Sequence, residues 1–188
     1  KTYRTKKFYE KYLGRADKKP KPDIEKKQLI VDAKRSDIEV IPPRLQYMYT
    51  EFTRSRTTEK IFFGLRHVKN VGVKECEKLS ELVAKQDISE YSWLDCLIKI
   101  IHELRLNKRA VIALISVGAF NGKNNTTSRQ RMLYDFDSWK QLSAREQQTI
   151  ADNHNSDNPS VYAETLSDSI EHLMTTIKIN SRRITTVK

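Results

Sequence analysis

Between Lys60 and Leu82 the chain reads KIFFGLRHVKNVGVKECEKLSEL, and that order of residue types admits few folds. A strand-like apolar run leads through a helix into a tight turn at Asn70-Val71-Gly72, and the turn opens another helix. Leu65, Val68, Val71, Cys76, Leu79 and Leu82 recur at the spacing that gives each flanking helix one apolar side. Gly72, and Asn70 almost as readily, can take the left-handed backbone that a sharp interhelical bend needs. Such a bend leaves successive amide N–H groups at a helix start, a partial positive pole suited to a phosphate oxygen. Arg66, Lys69 and Lys74 surround it. The same pattern also describes an ordinary surface turn with solvated lysines.

A second segment strengthens the first. From Leu106 to Phe120, Asn107 is a helix cap, Ala110, Val111, Leu114 and Ile115 form an apolar stripe, and Gly118 ends the helix. Ser128 caps a further helix through Phe136. Lys108, Arg109, Lys123, Arg129 and Arg131 lie around the GlyLysAsnAsnThrThr turn between them. Two such units predict a mainly α fold: tandem helix-hairpin-helix with a short β-hairpin and additional C-terminal helices.

Six segments in order then carry a family resemblance: Val40-Ile41-Pro42-Pro43, Phe52-Thr53, Ile61-Phe62-Phe63-Gly64-Leu65, Val68-Lys69-Asn70-Val71-Gly72, Leu106-Asn107-Lys108-Arg109, and Ala113 through Phe120. They resemble the C-family bacterial replicative DNA polymerases, the α subunit of DNA polymerase III, from the end of the fingers through the tandem hairpin region. Lys7-Phe8-Tyr9 with Tyr12-Leu13 is similar to the fingers helix upstream. That family usually has glycine at the position of Asn70 and aspartate at that of Asn121. The insertions and lysine-rich spacing resemble phage-encoded members, which implies a bacterial or host cytoplasm. The resemblance implies a polymerase whose palm aspartates hold Mg²⁺, with the rest of the enzyme and a sliding clamp as partners. A two-metal site needs several converging carboxylates, and here only Asp135-Phe136-Asp137 forms a close pair, of a kind more usual in turns and caps. The chain is therefore expected to lack catalytic residues, to bind no metal or cofactor itself, and to be inactive alone.

Charge locates the polyanion. Residues 1–74 hold 20 Lys+Arg against 9 Asp+Glu, and residues 75–188 hold 15 against 15, so the whole net charge of +11 lies upstream. Tyr3, Phe8, Tyr9 and Tyr12 interleave with these cations at a spacing that favours packing of an amphipathic helix over stacking on bases. No apolar run is long enough to span a membrane. Cys76 and Cys96 read as small core residues, and His67, His102, His154 and His172 are too scattered for a metal site.

Along the chain the expected elements are a basic helix from Thr5 to Leu13, a linker at Lys18 to Pro22, and a helix from Ile24 to Arg35. Tyr49 to Thr53 and Lys60 to Phe63 read as strands around a turn at Arg54 to Glu59, followed by the first hairpin. Helices follow from Ser92 to Leu104, from a Ser143–Glu146 capping box to Asp152, and from Pro159 to Ile177, with a strand from Ile184 to Lys188. The expected divisions are residues 1–45, the basic end of a fingers-like region with its linker; 46–140, the tandem hairpins; and 141–188, a helical extension. Gln130 through Tyr134 loosely resembles a clamp-docking peptide, but Met132, Leu133 and Phe136 have the spacing of a buried helix face.

The candidate DNA-binding residues are Arg66, Lys69, Asn70, Val71, Gly72, Val73 and Lys74 at the first turn, and Lys108, Arg109, Gly118, Ala119, Phe120, Asn121 and Lys123 at the second. Amides of Val71 to Lys74 and of Gly118 to Asn121 would donate to phosphates, and valine at Gly72 would distort the first turn. The partner is double-stranded DNA, gripped without reading sequence. The alternatives are a free-standing helix-hairpin-helix repair or recombination protein, and a helical protein-interaction module.

Overall fold

A computed structural model describes residues 5–16, 22–155 and 165–177. The expected linker before Pro22, the helix start at Pro159 and the C-terminal strand lie outside the described residues.

Helix α1 (Lys6–Arg15) starts where the Thr5 hydroxyl accepts the Phe8 N–H, and it runs beyond the expected Leu13. Tyr9 and Leu13 are fully buried, while Phe8 stacks on half-exposed Tyr12 with ring centroids 4.3 Å apart. Of the aromatic run, Phe8 and Tyr9 thus serve packing, Tyr12 stays partly exposed, and Tyr3 lies outside the described residues. Helix α2 (Pro22–Arg35) lies against α1, and the Tyr9 hydroxyl donates to Asp32 at 2.9 Å. Both helices cover a three-stranded sheet of order β1-β3-β2 (Glu39–Ile41, Lys60–Phe62, Thr53–Arg54). Strands β2 and β3 pair antiparallel, but β2 is Thr53–Arg54 instead of the expected Tyr49–Thr53, because the Tyr49 and Thr50 carbonyls are taken by the Leu65 and Arg66 N–H groups and Arg54, expected in the turn, joins the strand; β1 pairs in parallel with β3, an addition to the sequence expectation. Pro42 follows β1 at once and, lacking an N–H, ends it. Tyr9, Leu13, Leu29, Ala33, Ile38, Phe52 and Ile61 make this smaller core.

The larger core belongs to the helices that follow. Helix α3 (Val73–Lys85) buries Cys76 and Leu79. Helix α4 begins at Trp93–Asp95 under a complete Ser92/Asp95 capping box and continues as a π-helical stretch, Cys96–His102. Cys96, Leu97, Ile98, Ile100 and Ile101 are buried around nearly its whole girth, which makes it the central helix. Helix α5 (Lys108–Val117) and α6 (Arg129–Gln141) pack on each other, and α7 (Ala144–His154) and α8 (Leu166–Ile177) follow. Helix α6 extends past the expected end at Phe136, because Phe136 and Trp139 continue its buried face. Ile150, Ala151 and Leu166 share this core with Leu65, Val71, Leu114 and Phe120. Among the described residues no helix is long and apolar enough to cross a membrane.

Candidate nucleic-acid interface

The first bend is built on a glycine that the expected site did not include. Gly64 is buried, and a Cβ there would meet the Glu51 carbonyl carbon at 2.5 Å, so only glycine lets the two backbones touch. The contact is sewn by the Leu65 N–H to Tyr49 C=O bond at 2.8 Å and the Arg66 N–H to Thr50 C=O bond at 3.1 Å. Because these residues serve the strand-like segment beside them, the leading helix is a single 3-10 turn, Leu65–His67, instead of a full helix. Asn70 takes the left-handed conformation (φ 69°), whereas Gly72 is extended (φ −85°, ψ 172°) and serves as the N-cap of α3. A Cβ on Gly72 would meet only the flexible end of Glu75, at 2.8 Å, and the backbone there is not left-handed, so this position does not itself demand glycine as the sequence expectation had it.

Having no side chain, Gly72 caps nothing, and the first-turn amides of α3 keep their capacity. The Val71 N–H is the exception, since it donates to the Val68 C=O at 3.1 Å. Among the described residues the amides of Gly72, Val73 and Lys74 have no backbone acceptor. Asn70, Gly72, Val73 and Lys74 are exposed, and Val71 is buried as the anchor beneath them. The Glu75 carboxylate leans over this pole.

The second bend is not where the glycine turn suggested. Gly118 is left-handed (φ 81°) and ends α5 as expected, but its N–H goes to the Ile115 C=O, the Ala119 N–H to the Leu114 C=O and the Asn121 N–H to the Gly118 C=O. Gly118, Ala119 and Phe120 are buried, and the Asn121 C=O accepts the Leu45 N–H at 3.1 Å. The Asn121 side-chain oxygen is enclosed without a partner. Three of the four expected amide donors at this turn are thus bonded within the protein and the fourth belongs to buried Phe120: the helix end closes on itself and the segment is pinned at Leu45.

An equivalent of the first bend lies instead before α5. Arg105 is left-handed (φ 49°), Leu106 is buried, Asn107 is the N-cap and α5 begins at Lys108. This repeats Asn70, Val71, Gly72 and Val73 step for step, down to the first helical bonds, Cys76 N–H to Gly72 C=O at 3.1 Å and Val111 N–H to Asn107 C=O at 2.9 Å. Asn107 occupies the Arg109 N–H (2.9 Å) and leaves that of exposed Lys108 at the helix start, while Ala110 is fully buried. The two bends are tied together by Lys78 of α3, whose ammonium donates to the Leu104 C=O at 2.7 Å and the Arg105 C=O at 3.2 Å.

The cations divide into two groups. Arg66 is paired with Glu51 at 3.1 Å, and the same carboxylate meets His67 Nε2 at 2.9 Å. Lys123 is paired with Glu90 at 2.8 Å, which raises the lysine above its ordinary range. These two candidates carry neutralised charge. Among the described residues Lys69, Lys74, Arg105, Lys108 and Arg109 are exposed and make no ion pair.

The acidic pair of α6 has a different office. Asp135 is buried, accepts from Trp93 Nε1 at 3.0 Å and pairs with Arg131 at 2.8 Å; burial holds its carboxyl above the usual range against the pull of those two donors. Met132 is fully buried, so the clamp-like segment is a packed helix face. Cys76 and Cys96 are buried free thiols, and among the described residues no group of three His, Cys, Asp or Glu converges for a metal.

The helix-hairpin-helix motif family matches residues 37–132, a span that contains both bends and the β-sheet. No curated protein and no solved structure matches the chain. The motif is one associated with nucleic-acid binding in general, and with residues 37–132 matched the chain belongs to the helix-hairpin-helix motif family.

Proposed function

We propose that the chain binds double-stranded DNA without sequence preference, by laying the bends at Asn70–Gly72 and Arg105–Asn107 against the phosphate backbone. The repetition of one backbone step at two exposed helix starts, bridged by Lys78, carries this reading. Open amides of Gly72, Val73 and Lys74 and of Lys108 supply short-range donors, and Lys69, Lys74, Arg105, Lys108 and Arg109 supply charge. Backbone donors and flexible ammonium groups recognise phosphate and carry no base code, so affinity is shared by all sequences. Arg66, Lys123 and the Gly118–Asn121 turn act as scaffold in this scheme.

The ordered resemblance described above supports a finer reading, that the chain is the portion of a C-family replicative polymerase that grips the duplex behind the catalytic centre. A free-standing helix-hairpin-helix repair protein and a protein-interaction module are the competing readings. Fluorescence anisotropy with several unrelated duplexes tests the binding: similar affinities are expected, falling with salt at a log–log slope of about −4 to −5, from roughly −0.9 per neutralised phosphate. Absence of duplex affinity, or a strong preference for one sequence, contradicts it.

A further inference from the structure

A groove of about 260 Å³ opens beside the second bend, between the end of α4, the start of α5 and the last turn of α6. Arg105, Lys108 and Lys140 line it, with His102 and Trp139 in its wall. Trp139 is almost wholly buried, and its ring meets His102 edge-on at 5.4 Å. The groove thus has a stiff aromatic wall and a cationic rim.

The rim is unusual in its charges. Lys108, which lines the same groove, acts on Lys140 more strongly than burial does and holds it below the usual lysine range. Asp137 acts on Lys140 in the opposite sense and only partly offsets Lys108. Among the described residues none of Arg105, Lys108 and Lys140 makes an ion pair. Lys140 at the end of α6 complements that helix's dipole and lies 5.9 Å from the Phe136 ring centroid, yet the groove it shares with Lys108 gives it no anionic partner among the described residues. An anion between the two would turn a repulsion into two charge-assisted hydrogen bonds, with Arg105 as a third donor.

We infer that this groove is a separate phosphate site, which takes a phosphodiester of the duplex just beyond the second bend and extends the contact from α5 onto α6. The inference rests on the duplex-binding reading and adds to it a contact made by Lys140, outside either bend. A free phosphate offers the same chemistry, so the test separates the two sources.

Lys140 is exposed, and its replacement leaves the core intact. The full chain and its Lys140→Gln, Lys140→Arg and Lys74→Gln variants are titrated with a random-sequence duplex at several salt concentrations, and inorganic phosphate is titrated separately while the lysine side-chain NMR signals are followed. Lys140→Gln is expected to weaken duplex binding several-fold and to reduce the salt slope by about 1, with Lys140→Arg close to the parent chain and inorganic phosphate without saturable effect. An unchanged slope in Lys140→Gln, while Lys74→Gln loses about 1, overturns this site and leaves the two bends standing. Saturable phosphate binding that Lys140→Gln abolishes without altering duplex affinity overturns the duplex source. A parent chain without duplex affinity overturns both.

Discussion

Removing charge from the bends and removing charge from the scaffold should have different consequences, although the sequence offers the four residues as equals. The double variant Lys74→Ala/Lys108→Ala loses two unpaired cations, one at each helix start. Its counterpart, Arg66→Ala/Lys123→Ala, loses two cations already matched by Glu51 and Glu90 at 3.1 and 2.8 Å. The unpaired cations of the two bends, Lys69, Lys74, Arg105, Lys108 and Arg109, set a slope of about −4.5, so a fourfold rise in salt weakens the parent chain by about 500-fold. Lys140 deepens that slope by about one more unit if its groove is occupied. With Lys74 and Lys108 gone the slope falls by about 2, and for the bends alone the same rise in salt costs about 40-fold. The Arg66/Lys123 variant frees two carboxylates and changes the slope by less than about 1, because pairs this exposed contribute little and their cations are not aimed at the bends. Binding followed by fluorescence anisotropy from low to moderate salt gives both slopes. Equal losses in the two variants, or the larger loss in Arg66→Ala/Lys123→Ala, would refute the division of cations on which the interface is built.

Other perturbations follow from single contacts. Gly64→Ala forces a methyl into the Glu51 backbone at 2.5 Å and should cost about 1–3 kcal/mol, seen as a Tm lower by several degrees, whereas Gly72→Ala meets only the Glu75 side chain and should unfold near the parent temperature. Glu75→Gln removes the carboxylate that leans over the α3 pole; duplex affinity should rise several-fold, and weaker binding in an anisotropy assay would show that Glu75 organises the bend instead of obstructing it. Burial pushes the Asp95 carboxyl up, but hydrogen bonds from His154, Ser92 and Lys99 outweigh it and hold the group well below the carboxylate range. Its folded pKa lies below its unfolded one, so Asp95 stabilises the fold at neutral pH, and that stability drains away as pH falls below about 4 toward the folded value. Asp95→Asn should therefore lower stability at neutral pH by about 1–3 kcal/mol and flatten the acid limb of a denaturation profile; an unchanged acid limb would contradict the network.

Much of the helical framework was legible because helix ends are local. Ser92, Asn107, Ser128 and the Ser143/Glu146 box cap the helices they were expected to cap, and Gly118 ends α5. What the sequence concealed depends on distant partners. Strand β1 exists only through Val40 lying beside Ile61 in a parallel pair, and Arg66 and Lys123 lose their charge to Glu51 and Glu90, far along the chain. Gly64 is required by a backbone brought alongside from Glu51, so its own neighbours say nothing of it.

The second bend was misplaced for a related reason. Glycine at 118 advertises a turn, and the turn is real, but a helix C-terminus that closes on its own carbonyls has no donors to offer. Arginine at 105 advertises nothing, since a left-handed arginine is held there by the packing of Leu106 and by Lys78 on the flanking carbonyls. The one readable sign was the parallel between Val71-Gly72 and Leu106-Asn107: a buried aliphatic residue, then an N-cap, at the opening of each helix.

A backbone-amide NMR titration of the full chain with a random-sequence duplex tests the central claim most directly. The amides of Gly72, Val73 and Lys74 and of Lys108 should shift progressively and saturably, while those of Gly118, Ala119 and Asn121, already bonded inside the protein, stay in place. Saturable shifts confined to the Gly118–Asn121 turn, with both helix starts unmoved, would contradict the account.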